Sequence, residues 1–146
     1  MERIVIRRLK PEDADQIREI FAAITQQPVD PAAFNRIVEE QADRSEDASY
    51  VAELEGKVVG YMIGYCLTGG FGIKKSVWIA NMGVSPAHMG QGIGRQLAET
   101  IFDFSRSQGI RDVYSSVRWD SPDLLSFFKL LGFDRSNFIN LRKVLD

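Results

Sequence analysis

Hydrophobic and polar positions change their period several times along the chain, and each change predicts an element of secondary structure. Residues 3–9 alternate as in a strand, whereas apolar residues recur at helical spacing after Pro11 and again after Pro31. Residues 50–54 and 57–67 then predict two strands joined by a two-residue turn. The first half therefore predicts a strand, two helices and a hairpin.

The second half alternates strands with helices. It predicts a strand over 76–84, a helix from 93 to about 108, a short strand over 112–117, a helix over 121–132 and a strand over 138–145. Hairpins favour antiparallel pairing, while strand–helix–strand units favour parallel pairing. We predict an α/β fold in the order β-α-α-β-β-β-α-β-α-β, with a mixed, mostly antiparallel sheet and helices on both faces.

Length and composition narrow the class of protein. The chain has 146 residues, of which 45% are hydrophobic and 26% are charged, as in an ordinary globular protein. Since no linker or repeat divides it, residues 1–146 are predicted to form one domain. The net charge of -2 and the scattered basic residues argue against a nucleic-acid partner. No apolar run approaches the roughly 20 residues that span a bilayer, so no membrane partner is predicted.

Two residue types are too rare for several kinds of site. Cys66 is the only cysteine, which excludes an intrachain disulfide and agrees with a reducing compartment, usually the cytoplasm. His88 is the only histidine, so zinc sites with paired His and Cys ligands and His-based triads lack parts. We predict no metal site and a cytoplasmic location.

A glycine-rich turn joins the strand over 76–84 to the following helix. Gly90, Gly92 and Gly94 alternate there, and glycines remove Cβ atoms where an anion must approach the backbone. The helix start adds unpaired N–H groups and the positive end of a dipole. Arg95-Gln96 replaces the Lys-Ser/Thr pair of a Walker loop, and the spacing is not that of a dinucleotide fingerprint. The turn predicts a pyrophosphate site; a plain tight turn is the alternative.

Two stretches resemble motifs of the GNAT family of N-acetyltransferases. Val84-Ser85-Pro86 followed by Gly90-Gln91-Gly92-Ile93-Gly94 resembles the family's acetyl-CoA motif, written Q/R-x-x-G-x-G/A. Phe128-Lys129-Leu130-Leu131-Gly132-Phe133 resembles its tail motif, written Y-E-K-L-G-F. The hairpin at Glu55-Gly56, the following Gly60 and the order of elements agree as well. The resemblance covers essentially the whole chain.

The resemblance implies acetyl-CoA as acyl donor and direct attack of a neutral amine on its thioester. Backbone N–H groups of residues 90–95 would hold the pyrophosphate. Pantetheine would lie in the gap where the strand ending at Val84 splays from the strand over 112–117. The Val84 N–H would polarise the acetyl carbonyl. The predicted cofactor-binding residues are Met82, Gly83, Val84, Met89, Gly90, Gln91, Gly92, Ile93, Gly94, Arg95, Ser121 and Phe128.

The sequence departs from the family pattern where acid–base chemistry is expected. Phe128 occupies the position of the frequent catalytic tyrosine, and a phenyl ring cannot donate a proton. Met89 replaces the usual Arg or Gln, and Ser121 replaces a frequent asparagine. Two catalytic candidates remain: Asp120, which would touch the amine, act as base or simply serve as a turn carboxylate, and Asn81, which would orient water or substrate.

Two functions of different classes follow from these residues. The first is an N-acetyltransferase that acts on a primary amine of a small molecule or a protein. The second is a regulatory or interaction module that binds acyl-CoA without turnover, which Phe128 motivates. The resemblance assigns acceptor specificity to the helical pair within 11–40 and to the loop around 68–73. Homodimers are common among such folds, although no residue pattern marks an interface.

Overall fold

The computed structural model describes residues 3–25, 29–42, 48–68 and 74–146. Most of the loop expected to contact the acceptor, residues 69–73, lies outside them. The strands are β1 (Ile4–Arg8), β2 (Tyr50–Leu54), β3 (Lys57–Leu67), β4 (Ser76–Val84) and β5 (Val113–Ser115). The helices are α1 (Ala14–Thr25), α2 (Pro31–Ala42), α3 (Ile93–Ser107) and α4 (Pro122–Leu130), with one-turn 3-10 helices at Pro11–Asp13 and Pro86–His88.

One sheet carries all of these strands in the order β1-β2-β3-β4-β5. The pairs β1–β2, β2–β3 and β3–β4 are antiparallel, and β4–β5 is parallel. Glu55 and Gly56 both have positive φ, 51° and 80°, as a two-residue hairpin turn with the twist of its strands requires. The predicted mixed, mostly antiparallel sheet is confirmed.

Helices cover both faces of the sheet, as predicted, and each face has its own core. On one face α3 packs with Leu97, Ala98 and Ile101 against the sheet in a cluster that also contains Phe128 of α4. On the other face α1 and α2 pack Ile17, Ile20 and Val38 against residues of β2 and β3. The sheet thus separates an α3 face from an α1 face, and these names are used below.

The prediction of a closing strand over 138–145 is wrong, because residues 138–146 form no strand. The segment has residue types that favour strands, but a strand needs a partner edge to satisfy its backbone. The neighbouring β5 is only three residues long, shorter than the predicted 112–117. Phe138 contacts the ring of Tyr114 at 6.1 Å between centroids, and beyond it Ile139 and Leu141 are 85% and 88% exposed.

A buried ion pair ties β1 to the start of α1. Arg7 donates two hydrogen bonds to the Asp13 carboxylate, at 2.9 and 2.8 Å, and the Lys10 N–H donates a third at 2.8 Å. Burial of Asp13 raises the pKa of its carboxyl, but these hydrogen bonds outweigh burial, so the pKa is lowered. The ion pair therefore stabilises the folded state, and this contribution is lost when acid protonates Asp13.

Candidate active site

The glycine turn presents backbone donors at the start of α3. Gly90 and Gly92 both have φ of 80°, and Gly92 is the residue that precedes the helix. No side chain caps that helix start, and the first turn closes with Gln96 N–H donating to the Gly92 carbonyl at 3.0 Å. The N–H groups of Ile93, Gly94 and Arg95 precede this bond, so the helix itself cannot pair them. They form the kind of donor set that binds phosphates.

The three positions of the turn require glycine for different structural reasons. A Cβ atom at Gly90 or Gly92 would meet nothing within 4 Å, so these two positions need glycine for their positive φ. They leave open space beside the unpaired donors. A Cβ atom at Gly94 would lie 3.1 Å from the Phe127 ring, so Gly94 has a packing role between α3 and α4. Only the first two fit the simple expectation of room for an anion.

A gap opens between β4 and β5 beside this turn. The two strands pair only from Val77–Val113 to Ile79–Ser115, whereas β4 continues to Val84. At the last pair the Ser115 hydroxyl donates to the Ile79 carbonyl at 3.0 Å, and the gap begins beyond this hydrogen bond. Residues 80–84 of β4 therefore have no β5 partner, which is the splay that the resemblance implied. Since parallel strands end at the same edge, the glycine turn and the residues after β5 lie at the mouth of this gap.

The end of β4 faces both cores. Met82 packs with the α3-face cluster, and its methyl carbon would lie 3.5 Å from a Cβ at Gly94. Gly83 faces α1, where a Cβ would lie 2.8 Å from the Tyr61 ring and 2.9 Å from Ile24. Val84 pairs with Gly60 of β3. The predicted residues Met82, Gly83 and Val84 thus form the wall of the gap.

Asn81 lies on β4 next to these residues and is held by a side-chain partner. The Tyr61 hydroxyl donates to Asn81 Oδ1 at 3.2 Å. Tyr61 is 0% exposed, and its burial raises the pKa of the phenol well above the ordinary value, so it stays protonated. Sequence reasoning singled out Asn81 but missed this partner, because the register that joins the two strands has no signal in the sequence.

Asp120 is engaged in an exposed ion pair after β5. Arg118 donates two hydrogen bonds to its carboxylate, both at 2.9 Å. The hydrogen bond from Arg118 lowers the pKa of Asp120. A carboxylate with a lowered pKa is a weaker base, so this environment does not favour proton abstraction. Ser121 follows at the start of α4, where its carbonyl accepts from the Leu125 N–H.

Phe128 belongs to an aromatic cluster of the core. Its ring is 6% exposed and contacts Phe127 and Phe133 edge to face, at 5.3 and 5.0 Å between centroids. A cavity of about 650 Å³ reaches Phe128 from the side of β5 and the segment after Phe133, and another of about 820 Å³ lies along the end of α3. Neither cavity touches Asn81 or the glycine turn. The candidate site is therefore defined by the strand gap and the helix start.

Clusters of metal ligands and membrane-spanning helices are both lacking in the part of the chain that the structure describes. Within 3–25, 29–42, 48–68 and 74–146, no group of three or more His, Cys, Asp or Glu side chains is placed to hold a metal ion. In the same part of the chain, no helix is long and apolar enough to cross a membrane.

Comparison with known families decides the class of protein. Residues 14–133 match the model of the Acetyltransferase (GNAT) family. The chain belongs to that family. This confirms the resemblance seen in the motifs, and it makes the protein an acetyl-CoA-dependent N-acyltransferase.

Relatives of this acetyltransferase differ in the acceptors that their names state. It is 33% identical to the N-alpha-acetyltransferase RimI of Mycobacterium tuberculosis (strain ATCC 25618 / H37Rv) over 138 residues, 92% of this chain and 80% of the relative. It is 31% identical to the mycothiol acetyltransferase of Amycolatopsis mediterranei (strain U-32) over 68% of this chain, but only 34% of that protein is covered. The chain thus spans about a third of this second relative.

Solved structures share the fold at low sequence identity. An aminoglycoside N-acetyltransferase AAC(6')-Iy in complex with CoA matches with a TM-score of 0.83 and 16% identity, over 99% of this chain and 96% of that one. A ribosomal-protein-alanine N-acetyltransferase from Brucella melitensis biovar Abortus 2308 matches with a TM-score of 0.73 and 16% identity, over 99% and 100%. These likenesses confirm the predicted architecture.

Proposed function

We propose that this acetyltransferase transfers the acetyl group of acetyl-CoA to a primary amine of a small molecule or a protein. The observation that carries the proposal is the continuity of the glycine turn with the gap between β4 and β5. The turn has unpaired N–H donors beside open space at Gly90 and Gly92, which fits a pyrophosphate. The gap offers unpaired β4 backbone, which fits the amide groups of a pantetheine arm.

The proposed cofactor contacts follow from this placement. Backbone donors of 90–95 hold the pyrophosphate, with Met89, Gln91 and Arg95 exposed at its border. Met82, Gly83 and Val84 form the wall of the pantetheine gap, and the Val84 N–H polarises the acetyl carbonyl. We propose two further contacts with the cofactor, from Ser121 before α4 and from Phe128 within it. Acetyl-CoA supplies the activated acetyl group, and the chain supplies the donors that orient it.

We propose direct attack as the chemistry. The neutral amine nitrogen bonds to the thioester carbonyl carbon, the C–S bond breaks, the nitrogen loses a proton and the thiolate gains one. The buried Phe128 ring cannot supply that proton, and Asp120 is committed to Arg118, so we propose water as the acid. Asn81 orients water or substrate at the gap. Asp120 keeps a contact with the acceptor, because a carboxylate paired with Arg118 still has oxygen lone pairs that accept the amine N–H.

Calorimetry and a CoA-release assay test the proposal. Acetyl-CoA should bind at about one per chain, while ATP and NAD should not bind at comparable concentration. CoA release is then measured with a hexapeptide that begins with alanine, chosen from the name of the Brucella relative. The second probe is sisomicin, the ligand in a solved structure of the aminoglycoside acetyltransferase meta-AAC0020, which shares 20% identity with this chain. Release with either probe supports transfer to an amine. Binding without release with any primary amine would instead support the acyl-CoA-binding module that Phe128 motivates.

We also propose a homodimer located in the cytoplasm. Among the described residues, β5 has a strand neighbour on one side alone, and its other edge together with the exposed side chains of Ile139 and Leu141 supports an interface between copies. Sedimentation equilibrium should give twice the 16.5 kDa of one chain, and Leu141→Asp should restore a single copy. A wild-type protein that sediments as one copy at high concentration would contradict the dimer.

The lone Cys66 supports the proposed cytoplasmic location, because a chain without disulfides suits a reducing compartment.

A further inference from the structure

We propose that Tyr61 is a positioning residue that, together with a bulge at Ala80, aims the Asn81 carboxamide as a hydrogen-bond donor into the acceptor side of the site. The inference rests on the proposed transfer to an amine. It adds a residue and an orientation to that proposal, because the role of Asn81 as an orienting group does not by itself say which end of its amide faces the substrate.

A bulge in β4 decides on which face Asn81 lies. Along the β3–β4 pair, Ile63 is opposite Asn81, but the next residue, Gly64, is opposite Ile79. Ala80 is therefore an extra residue in β4. Since side chains alternate between faces, one extra residue moves every later side chain to the opposite face.

The packing of β4 shows this change of face. Val77 and Ile79 are buried in the α3-face cluster before the bulge, whereas Met82 and Val84 pack against the same cluster after it. The odd-numbered residues point to the α3 face before Ala80, and the even-numbered ones do so afterwards. In a regular strand Asn81 would share the face of Ile79 and point into an apolar core; the bulge places it on the α1 face.

The bulge is anchored on β3 by Gly64. A Cβ atom at Gly64 would lie 2.6 Å from the Ala48 carbonyl oxygen, so only glycine fits. The Ala48 N–H donates to the Gly64 carbonyl at 3.2 Å, and the Gly64 N–H donates to the Ser49 hydroxyl at 3.2 Å. The segment before β2 thus holds β3 at the point where the register shifts.

The Tyr61 hydroxyl then sets which end of the Asn81 amide is free. Tyr61 is fully buried on the α1 face and donates to Asn81 Oδ1 at 3.2 Å. A phenol that stays protonated keeps donating throughout the neutral range. With Oδ1 turned to Tyr61, the two Nδ2 hydrogens point away from it. Asn81 is half-buried, so these donors are accessible to an oxygen atom at the gap.

This orientation specifies the partner that Asn81 takes. An amide that presents N–H groups binds an oxygen, such as that of a water or a carbonyl, and not the N–H group of an attacking amine. The side chain therefore orients the water that exchanges protons, or the acetyl oxygen. Since Tyr61 touches neither water nor substrate, its role is to position Asn81.

Two tyrosine variants separate positioning from packing. Tyr61→Phe removes the hydroxyl and leaves the ring that packs on Gly83. Tyr65→Phe is the matched control, because Tyr65 lies on the same strand and the same face but pairs in register with Trp78 before the bulge. We expect Tyr61→Phe to lower kcat by about 3- to 10-fold, the effect of one lost hydrogen bond, with the Kd of acetyl-CoA unchanged. Tyr65→Phe should retain the wild-type kcat.

A double-mutant cycle tests whether Tyr61 acts through Asn81. Asn81→Ala should lower kcat at least as much as Tyr61→Phe, and adding Tyr61→Phe to Asn81→Ala should change kcat no further. If Tyr61→Phe slows the Asn81→Ala variant as much as it slows wild type, Tyr61 acts by packing and the inference is wrong.

A spectroscopic measurement decides the positioning without turnover. In ¹⁵N-labelled protein, the side-chain amide signals of Asn81 are those missing from Asn81→Ala. They should shift in Tyr61→Phe and not in Tyr65→Phe. Unchanged signals in Tyr61→Phe would refute the positioning. A wild-type protein that binds acetyl-CoA but releases no CoA would refute the proposed function, while the amide signals would still support or refute the orientation.

Discussion

Two substitutions at Gly92 test whether an added negative charge repels the proposed pyrophosphate, separately from the effect of an added side chain. The residue has φ of 80° and ψ of 11°, and a Cβ atom there would meet nothing within 4 Å. Asn and Asp are the residues with side chains that best tolerate this left-handed conformation. Gly92→Asn and Gly92→Asp therefore add side chains of nearly equal size and backbone strain, and they differ by one negative charge.

The expected difference follows from Coulomb's law. Two unit charges about 4 Å apart interact by about 1 kcal/mol in water and about 4 kcal/mol near a protein surface. The added carboxylate lies beside the donors meant for a pyrophosphate, so its repulsion falls within this range. The Kd of acetyl-CoA should thus be about 5-fold to several hundred-fold higher for Gly92→Asp than for Gly92→Asn.

A measurement of folding stability shows whether weaker binding of acetyl-CoA by Gly92→Asp results from unfolding. A carboxylate before a helix interacts favourably with the helix dipole, so Gly92→Asp should be at least as stable as Gly92→Asn. Thermal unfolding of both variants checks this. A weaker cofactor affinity in the more stable variant has to arise at the binding site.

Calorimetry with acetyl-CoA at two salt concentrations completes the test. At 1 M salt the Debye length falls to about 3 Å, so the difference in Kd between the two variants should shrink. Equal Kd values for Gly92→Asn and Gly92→Asp at low salt would refute a pyrophosphate at this turn. A difference that does not respond to salt would refute its electrostatic origin.

Three more changes test the fold and the chemistry. Gly64→Ala should cost about 1–3 kcal/mol and lower Tm by about 3 °C per kcal/mol, because its Cβ would lie 2.6 Å from the Ala48 oxygen. Asp13→Asn should cost about 1–3 kcal/mol at pH 7 by weakening the contact with Arg7. Since the folded pKa of Asp13 is lowered, its contribution is present above about pH 4 and is lost as pH falls through that folded pKa. Phe128→Tyr should raise kcat by about tenfold or more by restoring an acid.

The outcomes that would contradict these predictions are measured by thermal unfolding and CoA release. If Gly64→Ala unfolds at the same Tm as wild type, the Ala48 carbonyl shifts away from the added Cβ at no cost in stability. An Asp13→Asn variant with the same stability difference from wild type at pH 7 and pH 2.5 (about 1.5 units below the ordinary Asp pKa) would contradict the ion pair. An unchanged kcat in Phe128→Tyr would mean that the buried position does not reach the thiolate.

The sequence determined the elements up to α4 and the family to which the chain belongs. Helical and strand periods are local patterns, and the alternating glycines with Val84-Ser85-Pro86 form a contiguous motif that identifies its family. The same locality explains the wrong strand over 138–145: residue preference was read correctly, but pairing depends on an edge that lies elsewhere in the chain.

Only the tertiary structure decided how the candidate site is arranged. The face of Asn81 depends on one extra residue in β4, and its orientation depends on Tyr61, 20 residues earlier in the chain. Likewise, the lowered pKa of Asp120 depends on the position of Arg118. The physical reason is common to these cases: composition and period report what a residue prefers, whereas register and hydrogen-bond partners arise only when distant segments meet.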